Sequence, residues 1–130
     1  MHITIIGAGV FGAWCAKFLA DRGHRITLVD AYGPANGRAS SSDYSRVIRA
    51  GYGGDATYSR WALQSLDDWQ ALAALSGHSL LARTGALFMG RPGDAYVQST
   101  YATLRALDCP AELLDTADVR ARFPQMAPGD

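Results

Sequence analysis

At 130 residues and 13.9 kDa, the chain has room for one domain and little beyond it. Hydrophobic residues make up 48% and charged residues 18%, a globular balance that excludes a disordered chain. Twelve Lys and Arg against twelve Asp and Glu give a formal charge of zero, so there is no electrostatic footprint for a nucleic-acid backbone or an anionic membrane.

The opening His2 to Ile6 is rich in β-branched residues and stops at Gly7, which predicts a buried strand. Val10 to Arg22 turns to Ala, Phe, Trp, Leu and Lys, which predicts a helix, with Gly23 as its left-handed stop. This stretch is broken by glycines and by Lys17, so it reads neither as a signal peptide nor as a membrane span. Arg25 to Asp30 is again strand-like, and two tight connections favour a parallel βαβ unit. Ala31 to Gly54 is a long polar loop with a serine run, Ser40 to Ser42, and long loops in compact domains tend to carry function.

From Thr57 to Leu75 large residues recur at three- and four-residue steps, predicting an amphipathic helix whose Trp61 and Trp69 stripe faces a core. Leu80 to Gly90 reads as short strands around Thr84-Gly85. Asp94 to Leu107 reads as a second amphipathic helix and Ala111 to Leu114 as a short strand. Thr116 to Phe123 reads as a brief helix ended by Pro124. Cys15 and Cys109 lie far apart with no ligand spacing, so neither a zinc site nor a disulfide framework fits and a reducing cytoplasm is expected. Cys15 reads as a small core residue, and His24 and His78, beside glycines at element ends, as surface or capping residues.

Gly7-Ala8-Gly9-Val10-Phe11-Gly12 is a G-x-G-x-x-G placed between a predicted strand and a predicted helix, with Asp30 closing the next strand. Gly7 allows the tight turn, Gly9 removes the Cβ from the path of a diphosphate, and Gly12 lets the helix pack closely on the sheet. The helix N-terminus then faces the diphosphate with free N–H groups. Asp30 would accept from ribose hydroxyls and repel a 2′-phosphate, which favours FAD or NAD over NADP. The plain alternative is a glycine turn that binds nothing.

Asp30-Ala31-Tyr32-Gly33-Pro34, the serine run, Ser45-Arg46-Val47-Ile48-Arg49 and Tyr52-Gly53 together resemble the FAD-dependent amine and amino-acid oxidases of the D-amino-acid oxidase superfamily. Tyr58-Ser59-Arg60-Trp61-Ala62-Leu63 and Thr84-Gly85-Ala86-Leu87 extend the resemblance over nearly the whole chain, to the monomeric sarcosine oxidase and N-methyltryptophan oxidase group. It implies an α/β fold, with the N-terminal βαβ of a Rossmann-type FAD-binding fold in residues 1–56. Residues 57–130 would begin an α+β substrate domain. It further implies that Ala31 lies with Asp30 at the adenosine end, and that Ser41, Ser42 and Arg46 lie along the pyrophosphate and flavin. Arg49 would grip a substrate carboxylate and Tyr52 would line the same cavity. A guanidinium suits that task; on sequence alone, Arg46 and Arg49 read sooner as solvated loop charges.

The expected activity is oxidation of the C–N bond of an amino acid or N-methyl amino acid, with a small-molecule amine as partner and FAD as cofactor. A non-catalytic dinucleotide-binding module and an NAD-dependent dehydrogenase domain are the rivals. Members of the family are several times longer, which implies either an N-terminal piece or a complementing chain. The cysteine that holds flavin covalently in close relatives has no match here.

Overall fold

The computed structural model describes residues 1–126 as two compact units, dividing between Val47 and Ile48. That division falls inside the long loop, ahead of residue 56.

The first unit is a βαβ arrangement. Strand β1 (His2–Ile6), helix α1 (Val10–Asp21) and strand β2 (Arg25–Val29) follow in order, and β1 pairs with β2 in parallel, Ile3 opposite Ile26 and Ile5 opposite Leu28. Ile3, Ile5 and Ile26 are half-buried, while Ile6 is 87% exposed. The expectation of a fully buried β1 is therefore corrected: no residue of this unit is buried. One face of the sheet is lined by polar pairs instead, with His2 Nε2 bonded to Thr27 Oγ1 at 2.8 Å and the Arg25 guanidinium donating to His2 Nδ1 at 3.2 Å.

Helix α1 packs on both strands through Gly12, Ala16 and Leu19, which are half-buried and recur at helical spacing. Cys15 lies between those positions and is exposed, so its reading as a core residue fails on helical phase. Gly23, at φ +81°, turns the chain into β2 in the left-handed conformation that glycine adopts without strain.

The second unit contains α2 (Ala56–Ser76), α3 (Ala95–Ala106) and α4 (Thr116–Arg122), and α2 packs against α3. Aspartates start all three helices. Asp55 accepts from the Thr57 and Tyr58 N–H groups, Asp94 from Val97 N–H, and Asp115 forms a reciprocal box with Asp118. Such caps contribute about 0.5–2 kcal/mol each.

The inward face of α2 begins with small residues at Ser59 and Ala62 and continues through half-buried Leu66 and Trp69. Ser59 and Ala62 are buried, whereas Trp61 is 62% exposed, so the expected two-Trp core stripe is corrected for Trp61. Close helix–helix approach selects small side chains at the contact, and a tryptophan one position along faces elsewhere. The strands expected at Leu80 to Gly90 and Ala111 to Leu114 are absent; both segments run without ladder partners. β-branched and aromatic composition marks a chain able to join a sheet, and no neighbouring strand is present among the described residues to receive either one.

Candidate functional site

The glycine turn is shaped by contacts only glycine permits. A Cβ on Gly12 would lie 1.8 Å from the Gly7 carbonyl oxygen, so α1 begins pressed directly on the turn. Gly7 sits at φ +101°, and its N–H donates to the Val29 carbonyl at 2.7 Å, tying the turn to the end of β2. Over Gly9 the nearest atoms to a Cβ would be Ser41 Oγ at 3.8 Å and Ala39 Cβ at 4.0 Å, which leaves the backbone open to a ligand. The N-cap, Gly9, has no side chain to satisfy the first-turn N–H groups. Ser41 reaches back to do so once, accepting from Val10 N–H at 3.3 Å. Phe11, in the same turn, is 86% exposed.

Asp30 stands at the C-terminal end of β2, in a cleft lined by Ile6, Gly7, Val29, Asp30, Ala31 and Tyr32. Its Oδ2 accepts from Ala8 N–H at 2.7 Å; its Oδ1 accepts from Tyr32 N–H at 2.8 Å and from the Asn36 amide at 3.4 Å. The Ala8 and Tyr32 N–H groups, favouring the charged form, hold this carboxyl below its ordinary value of 3.8. Two carboxylate oxygens offer about four acceptor sites. Three of these are engaged by Ala8, Tyr32 and Asn36, and the Gly33 N–H also favours the charged form.

Farther along the loop, Ser42 N–H donates to the Ala39 carbonyl at 2.9 Å, closing a tight turn beneath Ser41. Ser42 lines a shallow depression with Asp43 and Tyr44. Arg46 lies 3.8 Å from Asp43, both well exposed, in an ion pair of little weight.

Arg49 and Tyr52 belong to the second unit and the other expected site residues to the first. The Arg49 guanidinium lies 5.5 Å from the centroid of the Tyr52 ring and 5.8 Å from that of Phe88. No carboxylate pairs with it among the described residues. Tyr52 continues into an aromatic row, 5.7 Å from Tyr58, which meets Trp61 edge-on at 5.6 Å. An exposed cation beside two aromatic rings, with its donors unspent, is equipped to take an anionic group from outside. Among the described residues no cluster of three or more His, Cys, Asp or Glu could hold a metal ion.

Over residues 2–130 the sequence matches the family described as DAO, FAD dependent oxidoreductase. The chain belongs to this family. It is 30% identical over 128 residues to a monomeric sarcosine oxidase of Streptomyces avermitilis, covering 98% of this chain and 33% of that protein. It is 30% identical over 123 residues to a monomeric sarcosine oxidase of Bacillus sp., covering 94% and 32%. An N-methyl-L-tryptophan oxidase of Yersinia pestis is 24% identical over 122 residues, covering 94% and 33%. The chain spans about a third of the length of the curated relatives it matches.

Several residues of this DAO-family chain escaped the sequence reading. Asn36 latches the loop after β2, donating to the Gly33 carbonyl at 2.7 Å as well as to Asp30. Arg38 lies over the Tyr32 ring at 4.3 Å. Asn and Gly at turn spacing gave a signal for the latch. Phe88 gave none, because its place beside Arg49 is set by packing across a long sequence separation.

Proposed function

We propose that this chain supplies the dinucleotide cradle and the substrate-carboxylate grip of an FAD-dependent oxidoreductase acting on the C–N bond of an amino acid or N-methyl amino acid. The observation that carries the grip is Arg49, an arginine beside two rings and paired with no carboxylate among the described residues. The cradle fits the family's cofactor: the α1 N-terminus has open first-turn donors, no Cβ stands over Gly9, and an ionised carboxylate closes β2.

In this reading residues 1–56 begin a Rossmann-type FAD-binding fold and residues 57–130 begin a substrate domain. Gly7, Ala8, Gly9, Val10, Phe11 and Gly12 face the pyrophosphate, and Asp30 with Ala31 the adenosine ribose. The Asp30 carboxylate takes a ribose hydroxyl, and its fixed negative charge disfavours a 2′-phosphate. Ser41 exchanges its bond with Val10 N–H for one to the ligand, while Ser42 and Arg46 lie toward the flavin. Flavin, when bound, supplies the two-electron acceptor for oxidation of the substrate's C–N bond. Arg49 binds the substrate carboxylate, and Tyr52 lines the same cavity. The partner is a small-molecule amine. No described helix is long and apolar enough to cross a membrane; two free cysteines fit a cytoplasmic setting. The family's flavin dependence favours this reading over a nicotinamide dehydrogenase or a non-catalytic binding module.

The two arginines separate the roles in one experiment on a full-length, flavin-loaded relative bearing the same segment. Arg49→Ala is expected to raise the substrate KM by roughly ten- to a hundred-fold, the loss of a charge-assisted bond, with flavin content unchanged. Arg46→Ala is expected to lower flavin content or alter the flavin spectrum. Loss of flavin in both, with KM unchanged in the first, would remove Arg49 from the substrate.

A further inference from the structure

We infer that helix α3 sets the position of the carboxylate grip, with Thr100 as the positioning residue and Tyr96 and Phe88 as its supports; the inference rests on the reading of Arg49 given above.

The segment carrying Arg49 and Tyr52 has no secondary structure of its own over most of its length and is seated on α3. Gly51 and Gly53 are buried, while Tyr52 between them stays half-exposed. A Cβ on Gly51 would come within 2.7 Å of the Phe88 ring and 2.9 Å of Thr100 Cγ2. One on Gly53, at φ +61°, would come within 3.1 Å of the Tyr96 ring. These two glycines let the backbone lie directly against the helix, where it is held at both ends. Gly53 N–H donates to Thr100 Oγ1 at 3.0 Å, with Thr100 only 4% exposed, and the Tyr96 hydroxyl donates to the Gly51 carbonyl at 3.3 Å.

A buried N–H must find a partner, so the Thr100 hydroxyl does more than fill space. It fixes Gly53, and through it the course of the chain that presents Tyr52 and Arg49. Phe88 completes the device. It packs on Gly51, meets the Tyr96 ring at 6.4 Å, and offers its own ring to the Arg49 guanidinium. The start of α3 is fixed in turn by Asp94, and Gly90 is pressed against Asp94 and Val97 where a Cβ would come within 2.9 Å. Backbone seat, hydrogen bond and ring wall therefore converge on one guanidinium. Preorganised placement of a binding group governs affinity because a small misplacement forfeits much of the bond.

The test compares Thr100→Val with Thr100→Ser in a full-length, flavin-loaded relative bearing the same segment, on an N-methyl amino acid and on the corresponding carboxyl-free N-methyl amine. Valine keeps the shape and removes the acceptor; serine keeps the acceptor. Thr100→Val is expected to raise KM for the carboxylate substrate by roughly ten-fold, the scale of one lost hydrogen bond. Its kcat/KM for the carboxyl-free amine and its flavin content are expected to hold, and Thr100→Ser is expected to restore the wild-type KM. A merely structural weakening would lower activity on both substrates alike, and that result overturns the inference, as does an unchanged KM. If Thr100→Val fails to fold, Tyr96→Phe must show the same selective loss, and its absence overturns the inference too. Should Thr100→Val be silent while Arg49→Ala remains selective for the carboxylate, the grip stands and only its control by α3 falls. Should Arg49→Ala show no selectivity, the grip itself is lost, and this inference with it.

Discussion

From sequence Asp30 is expected to accept from a ribose, and the structure gives its carboxylate a task within the chain itself. Its carboxylate joins the glycine turn at Ala8 to the loop at Tyr32, so one residue braces both sides of the cleft. No sequence rule revealed this, because the two N–H groups come from segments with no common motif. The sign of the pH effect follows from its lowered pKa. The unfolded chain takes up the proton first, near the ordinary 3.8. The stability from this group is therefore full above that value and is lost as pH falls through the lower folded value. Asp30→Asn is expected to flatten the acid limb of a stability-against-pH curve and to weaken FAD binding at neutral pH. An acid limb identical to that of the wild type, measured by urea melts over the acid range, would remove the carboxylate from the brace.

Among the elements, the βαβ unit was the most readable because its signals are local. β-branched runs, a glycine at each reversal and a helical composition between them all lie within thirty residues of one another. The segments at Leu80 to Gly90 and Ala111 to Leu114 were misread because a strand is a relation between two segments, and composition reports on only one of them. The seat of residues 51–53 on α3 was invisible for a related reason: Gly53 and Thr100 are 47 positions apart. Gly12 carries the clearest prediction at this scale. An added methyl would sit 1.8 Å from a backbone oxygen, which cannot swing away as a side chain can. Gly12→Ala should therefore cost about 1–3 kcal/mol, the penalty for overpacking. It should also lift α1 off the turn and lower flavin content. A urea midpoint and flavin content equal to the wild type would show that α1 does not depend on this contact.

Across the whole molecule, apolar side chains outnumber the surfaces available to cover them. Among the described residues Ala62 is the one apolar core side chain, while Ile6, Phe11, Val47, Trp61 and Leu75 are all exposed. Each large side chain left in water forgoes about 1.5–3 kcal/mol, against a typical domain stability of about 5–15 kcal/mol. Residues 1–130 expressed alone are therefore expected to bind a hydrophobic dye, to melt without a sharp transition and to retain little FAD. They are also expected to release no peroxide with sarcosine or N-methyltryptophan. A cooperative melt with stoichiometric bound flavin would show instead that these surfaces need no cover.

The row of rings leading away from Arg49 has an optical consequence. Tyr52, Tyr58 and Trp61 stand at successive centroid spacings of 5.7 and 5.6 Å, well within the range over which excited tyrosine passes its energy to tryptophan. The last member is an indole open to solvent, whose emission colour follows its surroundings. A charge arriving at Arg49 disturbs the first ring of this relay, and the last ring emits the result. Under the proposal that Arg49 binds a substrate carboxylate, substrate binding is therefore expected to shift the Trp61 emission, a change readable in a cuvette without a label.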